Sequence, residues 1–598
     1  MLKQKVLFSN VLAVLIALGF VACGGDYKAP TPVTVSLIGL NDLHGNLLPP
    51  SGSVTVADPA NPAGTKVSAG GLAYLASLIK ELKAQNPSNT LVVGAGDMIG
   101  ASPITSSLYH DEPTVEALNL LGLDITSVGN HEFDKGRDEL LRKQSGGCFP
   151  LTVDGSKGKV GVDTCMNDGK FAGAKYKYLA ANVIDQKTST TLFPPYEIRR
   201  VGGVDIAFIG LTLKDTPSVV TPSGVAGMIF IDEVETVNKL VPELKAKGVA
   251  SIVVLMHQGG FTNASTVNDK TCPGLNGDIV ELTDRLNSAI DVVISGHTHM
   301  EYVCTRPDGK LLTQSGFYGS VVTKIDLKID PLQKKVLSKD ANNIVAINDV
   351  GVKDTKGVLI PLPAGMKAQV QDSAMAALIQ KYVDKSSVVT NEVIGNITEP
   401  ITRTVNTAGE SKMGDIVADI YLAGSSGPAY GDKAARIAFT NVGGVRSDLT
   451  SLSVTFGQLF AVMPFGNNLS TMDLTGQQIL RLLEQQWESI QPAGGRVMQV
   501  SKGFSYTWDA SKPEGAATGT GNRVVEGSMK LNGVGIDLSK IYRVTVNNFM
   551  AAGGDNFSVL LSGKNIQQGD VDIDAGAAYF RAKGTVPTPV LNRITRIN

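Results

Sequence analysis

Five of the six histidines in this chain stand at or just beyond the ends of short apolar runs, and this placement narrows the possible folds more than any other feature. Runs at 33–40, 91–95, 125–128, 206–211, 252–256 and 292–295 have the length and apolar character of buried strands. Five of them lead directly into a polar motif: Asn41-Asp42-Leu43-His44, Gly96-Asp97, Gly129-Asn130-His131-Glu132-Phe133-Asp134, His257, and Gly296-His297-Thr298-His299. Between the first two runs, Leu72, Leu75, Leu78, Ile79 and Leu82 keep to one helical face. A second helix is expected near Pro113, a favoured first-turn residue, with Asp111 and Glu112 complementing the helix dipole. Strands alternating with helices predict an α/β domain around a largely buried sheet. In such sheets ligands gather beyond the carboxyl ends of the strands. Motifs spread from residue 42 to residue 299 are therefore expected to converge on one rim.

Imidazole, carboxylate and amide oxygen together suit zinc, manganese or iron better than calcium. A pair of such ions can clamp the attacking and leaving oxygens of a phosphoryl transfer, and Asp97 is the natural bridging anion between them. The sixth histidine, His110, fits none of the motifs and reads as a solvated side chain before a helix start.

The order DxH, GD, GNHE, a lone His and GHxH resembles the calcineurin-like metallophosphoesterase signature. The resemblance implies a four-layer αββα sandwich and two divalent ions, zinc, manganese or similar. One would be held by Asp42, His44, Asp97 and His299, the other by Asp97, Asn130, His257 and His297. It also implies that His131, oriented by Asp134, stabilises negative charge in the transition state.

A long helical stretch over 366–387 reads as a connector between domains, and the texture beyond it changes to strands at 435–440 and 542–546, a helix at 476–486, and long Gly-rich loops. The expected organisation is a signal peptide at 1–22, a tether at 23–32, a catalytic domain at 33–350, a connector at 351–387 and an α/β substrate-binding domain at 388–598. In the last of these, Asn441-Val-Gly-Gly-Val-Arg446, Pro464-Phe465-Gly466-Asn467 and Phe549-Met-Ala-Ala-Gly-Gly-Asp555 resemble the C-terminal domain of 5′-nucleotidases. The resemblance implies that Phe465 and Phe549 sandwich a base, that Asn467 contacts it, and that Asp555 accepts from ribose hydroxyls. Arg446 would pair with phosphate through its planar fork. Arg403 aligns with the first of two phosphate-binding arginines, and Thr407 stands where the second is usual.

The family implies hydrolysis of nucleoside 5′-monophosphates by in-line attack of a metal-bound hydroxide, and a rotation of the C-terminal domain with 366–387 as hinge. Nucleoside di- and triphosphates and UDP-sugars are further candidate substrates. Three alternatives stay open: a 2′,3′-cyclic-nucleotide phosphodiesterase/3′-nucleotidase, a nucleotide-sugar or NAD pyrophosphatase, and a non-catalytic nucleotide-binding surface lipoprotein.

A formal charge of −2 gives no basic field for a nucleic acid polymer. Lys3 and Lys5 before an apolar run over 11–22 have the layout of a secretory signal, too short for a membrane span of about 20 residues. Phe20-Val21-Ala22-Cys23 resembles a bacterial lipoprotein box, with Phe20 where Leu is usual. A lipid on Cys23 would then be the chain's one membrane attachment, in the periplasm or at the cell surface; cleavage after Ala22 without lipid is the alternative. Cys148, Cys165, Cys272 and Cys304 allow three connectivities, and sequence proximity favours Cys148–Cys165 with Cys272–Cys304. No CxxC spacing supports a thiolate zinc site, and nothing in the sequence speaks to oligomeric state.

Overall fold

The apolar runs that precede the histidine motifs lie in two six-stranded sheets. In the computed structural model, which describes residues 31–50, 52–153, 157–354 and 357–598, Val33–Leu40 pairs in parallel with Thr90–Ala95, and Thr90–Ala95 with Ile125–Ser127. The second sheet runs in parallel through Val204–Leu211, Ser251–Met256 and Val292–Ser295. Antiparallel strands extend both sheets: Val321–Asp330 and Lys335–Val345 on the first, Tyr196–Val201 and Glu301–Thr305 on the second. Residues 1–30, which include the expected signal segment and Cys23, lie outside the described residues.

These strands read as unbroken apolar runs because both of their faces are covered. In Val204–Leu211, Ile206 and Phe208 face the other sheet and join a core with Val35, Leu37, Val93 and Val253. The alternate residues Ala207, Ile209 and Leu211 pack under the helices Glu233–Ala246 and Asp278–Arg285. On the far side of the first sheet, Leu72–Gln85 and Glu112–Leu121 cover Ile38, Leu40 and Val92. Helix, sheet, sheet and helix form the expected four layers, and every parallel strand points its carboxyl end to the same rim.

The C-terminal half is built on a five-stranded mixed sheet ordered Gln499–Val500, Ile437–Thr440, Ile541–Asn547, Asn468–Thr475 and Lys564–Val571. Phe439, Met472 and Val546 bury one face, and Ala438 and Leu469 the other. Its helices start where side chains satisfy free amides. Ser411 caps Lys412–Ser426, and Thr475 forms a capping box with Gln478 at the head of Gly476–Glu484.

The connector differs from expectation. Its helix is Ser373–Thr390, and Asp372 caps it by accepting from Met375 N at 2.9 Å. Helix does not begin at 366 because the backbone there is engaged elsewhere: Gln369 N donates to Ile347 O and Asp372 N to Ala73 O, each at 2.8 Å. Nor is this stretch a free hinge. Met375 and Ile379 belong to the core of the first half, and Tyr382 donates to Glu116 at 2.8 Å. The start and middle of the helix are thus tied to the first half, while its end meets the C-terminal half, where Thr390 packs against Gly457.

His110 is also not the solvated side chain expected. Its ring stacks on Phe149 at 3.8 Å and meets Asp163 at 3.3 Å, with 13% of the side chain exposed. Disulfides join Cys148 to Cys165 and Cys272 to Cys304. Among the described residues no helix is long and apolar enough to cross a membrane.

The sheet-on-sheet core predicts a large cost for emptying its centre. Phe208 is fully buried there, and Phe208→Ala should destabilise the N-terminal half by about 3–5 kcal/mol. Chemical denaturation followed by far-UV circular dichroism reads this. A loss below about 1 kcal/mol would mean that the two sheets do not share that core.

Candidate functional site

The two sheets deliver five loops to one rim, and the loops are stitched together before any ligand is considered. Asp42 N donates to Gly96 O at 3.1 Å and His44 N to Asp97 O at 3.0 Å, tying the first loop to the second. His297 N donates to both Asp42 oxygens, at 3.0 and 2.9 Å, bringing in the last loop. His131 N donates to Asp97 Oδ1 at 2.9 Å. Aiming these side chains strains the backbone: Asp42, His44, Asp97, His297 and His299 all have φ between 48° and 72°. Non-glycine residues rarely adopt that region, and such strain concentrates at functional sites. Two glycines permit the close approach. A Cβ on Gly129 would lie 2.2 Å from Asp97 Oδ1, and one on Gly96 would lie 2.7 Å from Gly129 N.

The side chains meet in two overlapping groups. His44 Nε2 lies 3.1 Å from His299 Nε2, 3.8 Å from Asp42 Oδ1 and 3.7 Å from Asp97 Oδ2. His257 Nε2 lies 3.0 Å from both Asp97 Oδ2 and Asn130 Oδ1, and His297 Nδ1 lies 3.0 Å from the same amide oxygen. Backbone carbonyls set the tautomers: His44 Nδ1 donates to Gly100 O at 2.9 Å, and His257 Nδ1 to Ala95 O at 2.8 Å. With Nδ1 so engaged, each ring turns Nε2 inward, where it can hold a metal ion when neutral or a proton when charged. At His44–His299 and at His257–Asn130–Asp97, ring nitrogens and side-chain oxygens converge to hydrogen-bond distance. A proton or a metal ion can sit between such atoms, and this set of imidazole, carboxylate and amide oxygen fits divalent ions of the zinc or manganese type. Asp97, between His44 and His257, belongs to both groups.

The protonation equilibria express the same demand. Burial works against charge on His257, but the Asp97 carboxylate prevails and pushes it up to about 10. Burial, aided by the charge of His257, pushes His297 down to about 3. His44 is held well below the usual range by burial, against the pull of Asp97. His131 is buried too, yet Asp134, whose Oδ2 lies 2.9 Å from Nδ1, and Asp97 raise its affinity for a proton.

The C-terminal half reaches this rim through Phe465 and Arg446. The Phe465 ring lies over His131 with centroids 5.6 Å apart, and the Arg446 guanidinium lies 6.0 Å over Phe465. The charge of Arg446 opposes protonation of both His44 and His131. Its Nε and Nη2 are buried with no hydrogen-bond partner.

Asp555 is buried at φ 53°, accepts from Asn441 Nδ2 at 2.7 Å, and faces Arg496 at 3.4 Å. Asn441 accepts in turn from Asn547 Nδ2 at 3.0 Å. The Phe549 ring packs on Gly554, where a Cβ would lie 2.4 Å from it. Among the described residues no ring contact joins Phe465 to Phe549. Asn467 meets Asp572, its backbone carbonyl accepting from Asp572 N at 2.7 Å. Arg403 pairs with Asp448 at 3.0 Å with 45% of its side chain exposed.

Sequence reasoning missed Glu132, whose neighbours in the GNHE motif were the only signal for it. Its buried carboxylate accepts from Asp97 N at 2.9 Å, Met98 N at 2.8 Å and Gly129 N at 2.6 Å. It thereby fixes the turns that aim Asp97 and Asn130. Burial, reinforced by Asp97, pushes its carboxyl up to about 7. Arg496 and Gln491, which donates to Asp555 O at 2.9 Å, were likewise not foreseen, because their Gly-rich loop carries no motif.

Known proteins resemble this chain throughout. The family model for calcineurin-like phosphoesterase matches residues 36–301, and that for the 5′-nucleotidase C-terminal domain matches residues 393–562. An endonuclease of Bacillus subtilis (strain 168) is 32% identical over 561 residues, 92% of this chain but only 40% of that protein's length. A cell wall protein of Listeria monocytogenes is 28% identical over 577 residues, 92% of this chain and 68% of the relative. The crystal structure of a 5′-nucleotidase precursor from Thermus thermophilus superposes with a TM-score of 0.70 at 26% identity, covering 95% of this chain and 100% of that one.

The bonds made by Glu132 predict that losing it loosens the centre without unfolding it. Glu132→Ala should weaken divalent-ion affinity by about 10–100-fold, the scale for outer supports of metal ligands. Metal content after graded dialysis against chelator would read this, with circular dichroism as the check on folding. Wild-type retention of metal would show that the turns hold without the carboxylate.

Proposed function

The chain belongs to the 5′-nucleotidase family, a calcineurin-like phosphoesterase domain joined to a 5′-nucleotidase C-terminal domain, and from that premise we propose that it hydrolyses nucleoside 5′-monophosphates outside the cytoplasm. The observation that carries this reading is the Arg446 guanidinium, buried beside the histidine rim with Nε and Nη2 unpartnered. A buried cation of that shape calls for a planar or tetrahedral oxyanion, which a phosphate supplies.

We divide the work between residues 33–350, which act on phosphorus, and residues 388–598, which hold the nucleoside. Asp42, His44, Asp97 and His299 would hold one divalent ion, and Asp97, Asn130, His257 and His297 the other. Bound there, such ions polarise phosphoryl oxygens and supply a nucleophile from water near neutral pH. Asp134 holds His131 through Nδ1 and favours its charged form, so Nε2–H can donate to a phosphoryl oxygen as charge builds in the transition state. Arg446 binds the non-reacting phosphate oxygens and sets the phosphorus against the rim. Attack in line with the nucleoside oxygen then releases nucleoside and phosphate. Phe465 and Phe549 offer faces to the base, with Asn467 at its edge, and the Asp555 carboxylate accepts from ribose hydroxyls. Arg403, already paired with Asp448, leaves Arg446 as the main phosphate clamp. Looser clamping extends the reading to di- and triphosphates and to UDP-sugars.

Export rests on two disulfides, which persist in oxidising compartments, and on the likeness to a cell wall protein. Lipidation of Cys23 belongs to the same proposal.

The test is a hydrolysis screen of the exported chain against AMP, ADP, UDP-glucose, NAD, 3′-AMP, 2′,3′-cyclic AMP and single-stranded DNA, with Arg446→Gln beside wild type. AMP should give the highest kcat/KM, and Arg446→Gln should raise KM for AMP about tenfold or more, the loss of a charge-assisted bond. Preferential cleavage of DNA, which the Bacillus relative's name raises, or of NAD would overturn the substrate assignment. An unchanged KM in Arg446→Gln would remove the arginine from the phosphate.

A further inference from the structure

The C-terminal half contains a second cavity, of about 350 Å³, which none of the residues proposed for phosphate or nucleoside lines. Its walls include Trp487, Trp508, Arg523, Arg596 and Glu514. The two indoles lie 5.0 Å apart at 38°. Arg523 lies 5.3 Å over Trp487 and 4.8 Å over Trp508, and Arg596 lies 5.4 Å over Trp508. Rings and guanidinium faces are thus committed to one another, and the guanidinium edges carry the hydrogen-bonding capacity that is left.

Those edges are poorly matched by the protein. Arg523 is only 7% exposed, yet its Nε has no partner. Its Nη1 reaches Glu514 at 3.4 Å and its Nη2 reaches Ala510 O at 3.5 Å, both at the limit of a hydrogen bond. Arg596 Nη1 reaches Thr407 O at 3.5 Å. Glu514 directs its other oxygen to Gly494 N at 2.6 Å, so its carboxylate is shared rather than devoted to the arginines. The surroundings are rigid: Arg523 N donates to Glu484 at 2.8 Å, and Trp508 Nε1 donates to Ala408 O at 3.0 Å. A buried donor held in place without an acceptor is costly, and two guanidiniums against one shared carboxylate leave an excess of positive charge.

We propose that this cavity is a second binding site, distinct from the catalytic cleft, for a small organic oxyanion. The carboxylate, phosphate or sulfonate head lies on the edges of Arg523 and Arg596. The body fills the space beside the indoles, Val497 and Ala408, which a bare inorganic ion would leave unfilled. The volume falls in the range of small-molecule sites. The site also adjoins the cleft: Gly494 and Val497 line it, while Gln491 and Arg496 of the same loop contact Asp555.

The sequence supplies its own reporter, because Trp487 and Trp508 are the only two tryptophans in the chain. Titration of the full exported chain with benzoate at constant ionic strength should give a saturable change in tryptophan emission. Inorganic phosphate should require at least tenfold higher concentration. Arg523→Gln should abolish the saturable change, and Arg596→Ala, at an exposed position where folding is not at risk, should weaken benzoate at least tenfold. Arg446→Gln, in the cleft, should leave the titration unchanged. A linear, non-saturating response, a titration indifferent to Arg596→Ala, equal binding of inorganic phosphate, or loss of the response in Arg446→Gln would each overturn the proposal.

Discussion

Asp97 carries the structure's most demanding interaction. One oxygen lies 3.0 Å from His257 Nε2 and 3.7 Å from His44 Nε2, while the other accepts from the backbone of His131 at 2.9 Å. Around it stand the Asn130 amide oxygen and the Asp42 carboxylate, a concentration of acceptors in a largely buried space. Coulomb repulsion of that kind is far stronger inside a protein than in solvent. Positive charge at the centre offsets that repulsion. The family uses divalent metals, and the residues here form groups that could hold such ions.

Everything nearby holds that crowded geometry. The parallel strands of the two mixed sheets end together, which brings residues 42 and 299 into one cluster. Left-handed turns at five of the clustered residues then aim the side chains inward. Glu132 stabilises the turns of Asp97 and Gly129 from behind. Backbone carbonyls choose the tautomers of His44 and His257. The cost is local strain, offset by burial of both faces of every central strand.

Much of this was legible in the sequence because metal-binding chemistry is written in residue types. Histidine is scarce in this chain, so its recurrence after apolar runs is a strong signal, and parallel sheets convert that spacing into convergence. Other features left no such trace. Glu132 works through backbone amides, whose positions depend on turns that sequence does not show. The helix start at Ser373 depends on Gln369 and Asp372 bonding to distant strands and loops. His110 finds Phe149 and Asp163 only after the chain has folded back through the Cys148–Cys165 disulfide. Arg403 carries the right charge for phosphate, and its pairing with Asp448 left no mark in the sequence. Motifs disclose which groups are present; tertiary contacts decide which of them remain free.

Division between the halves follows from the same logic. In the proposed function the rim would act on any phosphoryl group set before it, and selection of a substrate would fall to Arg446, Asp555 and the two phenylalanines. That division depends on Asp97 bridging paired ions. Reconstitution with manganese and low-temperature electron paramagnetic resonance addresses the bridge directly. A pair of ions joined through Asp97 predicts about two manganese per chain and an exchange-coupled spectrum, replaced in Asp97→Asn by the signal of isolated ions. A single uncoupled manganese per chain at saturation, or coupling unaffected by Asp97→Asn, would contradict it.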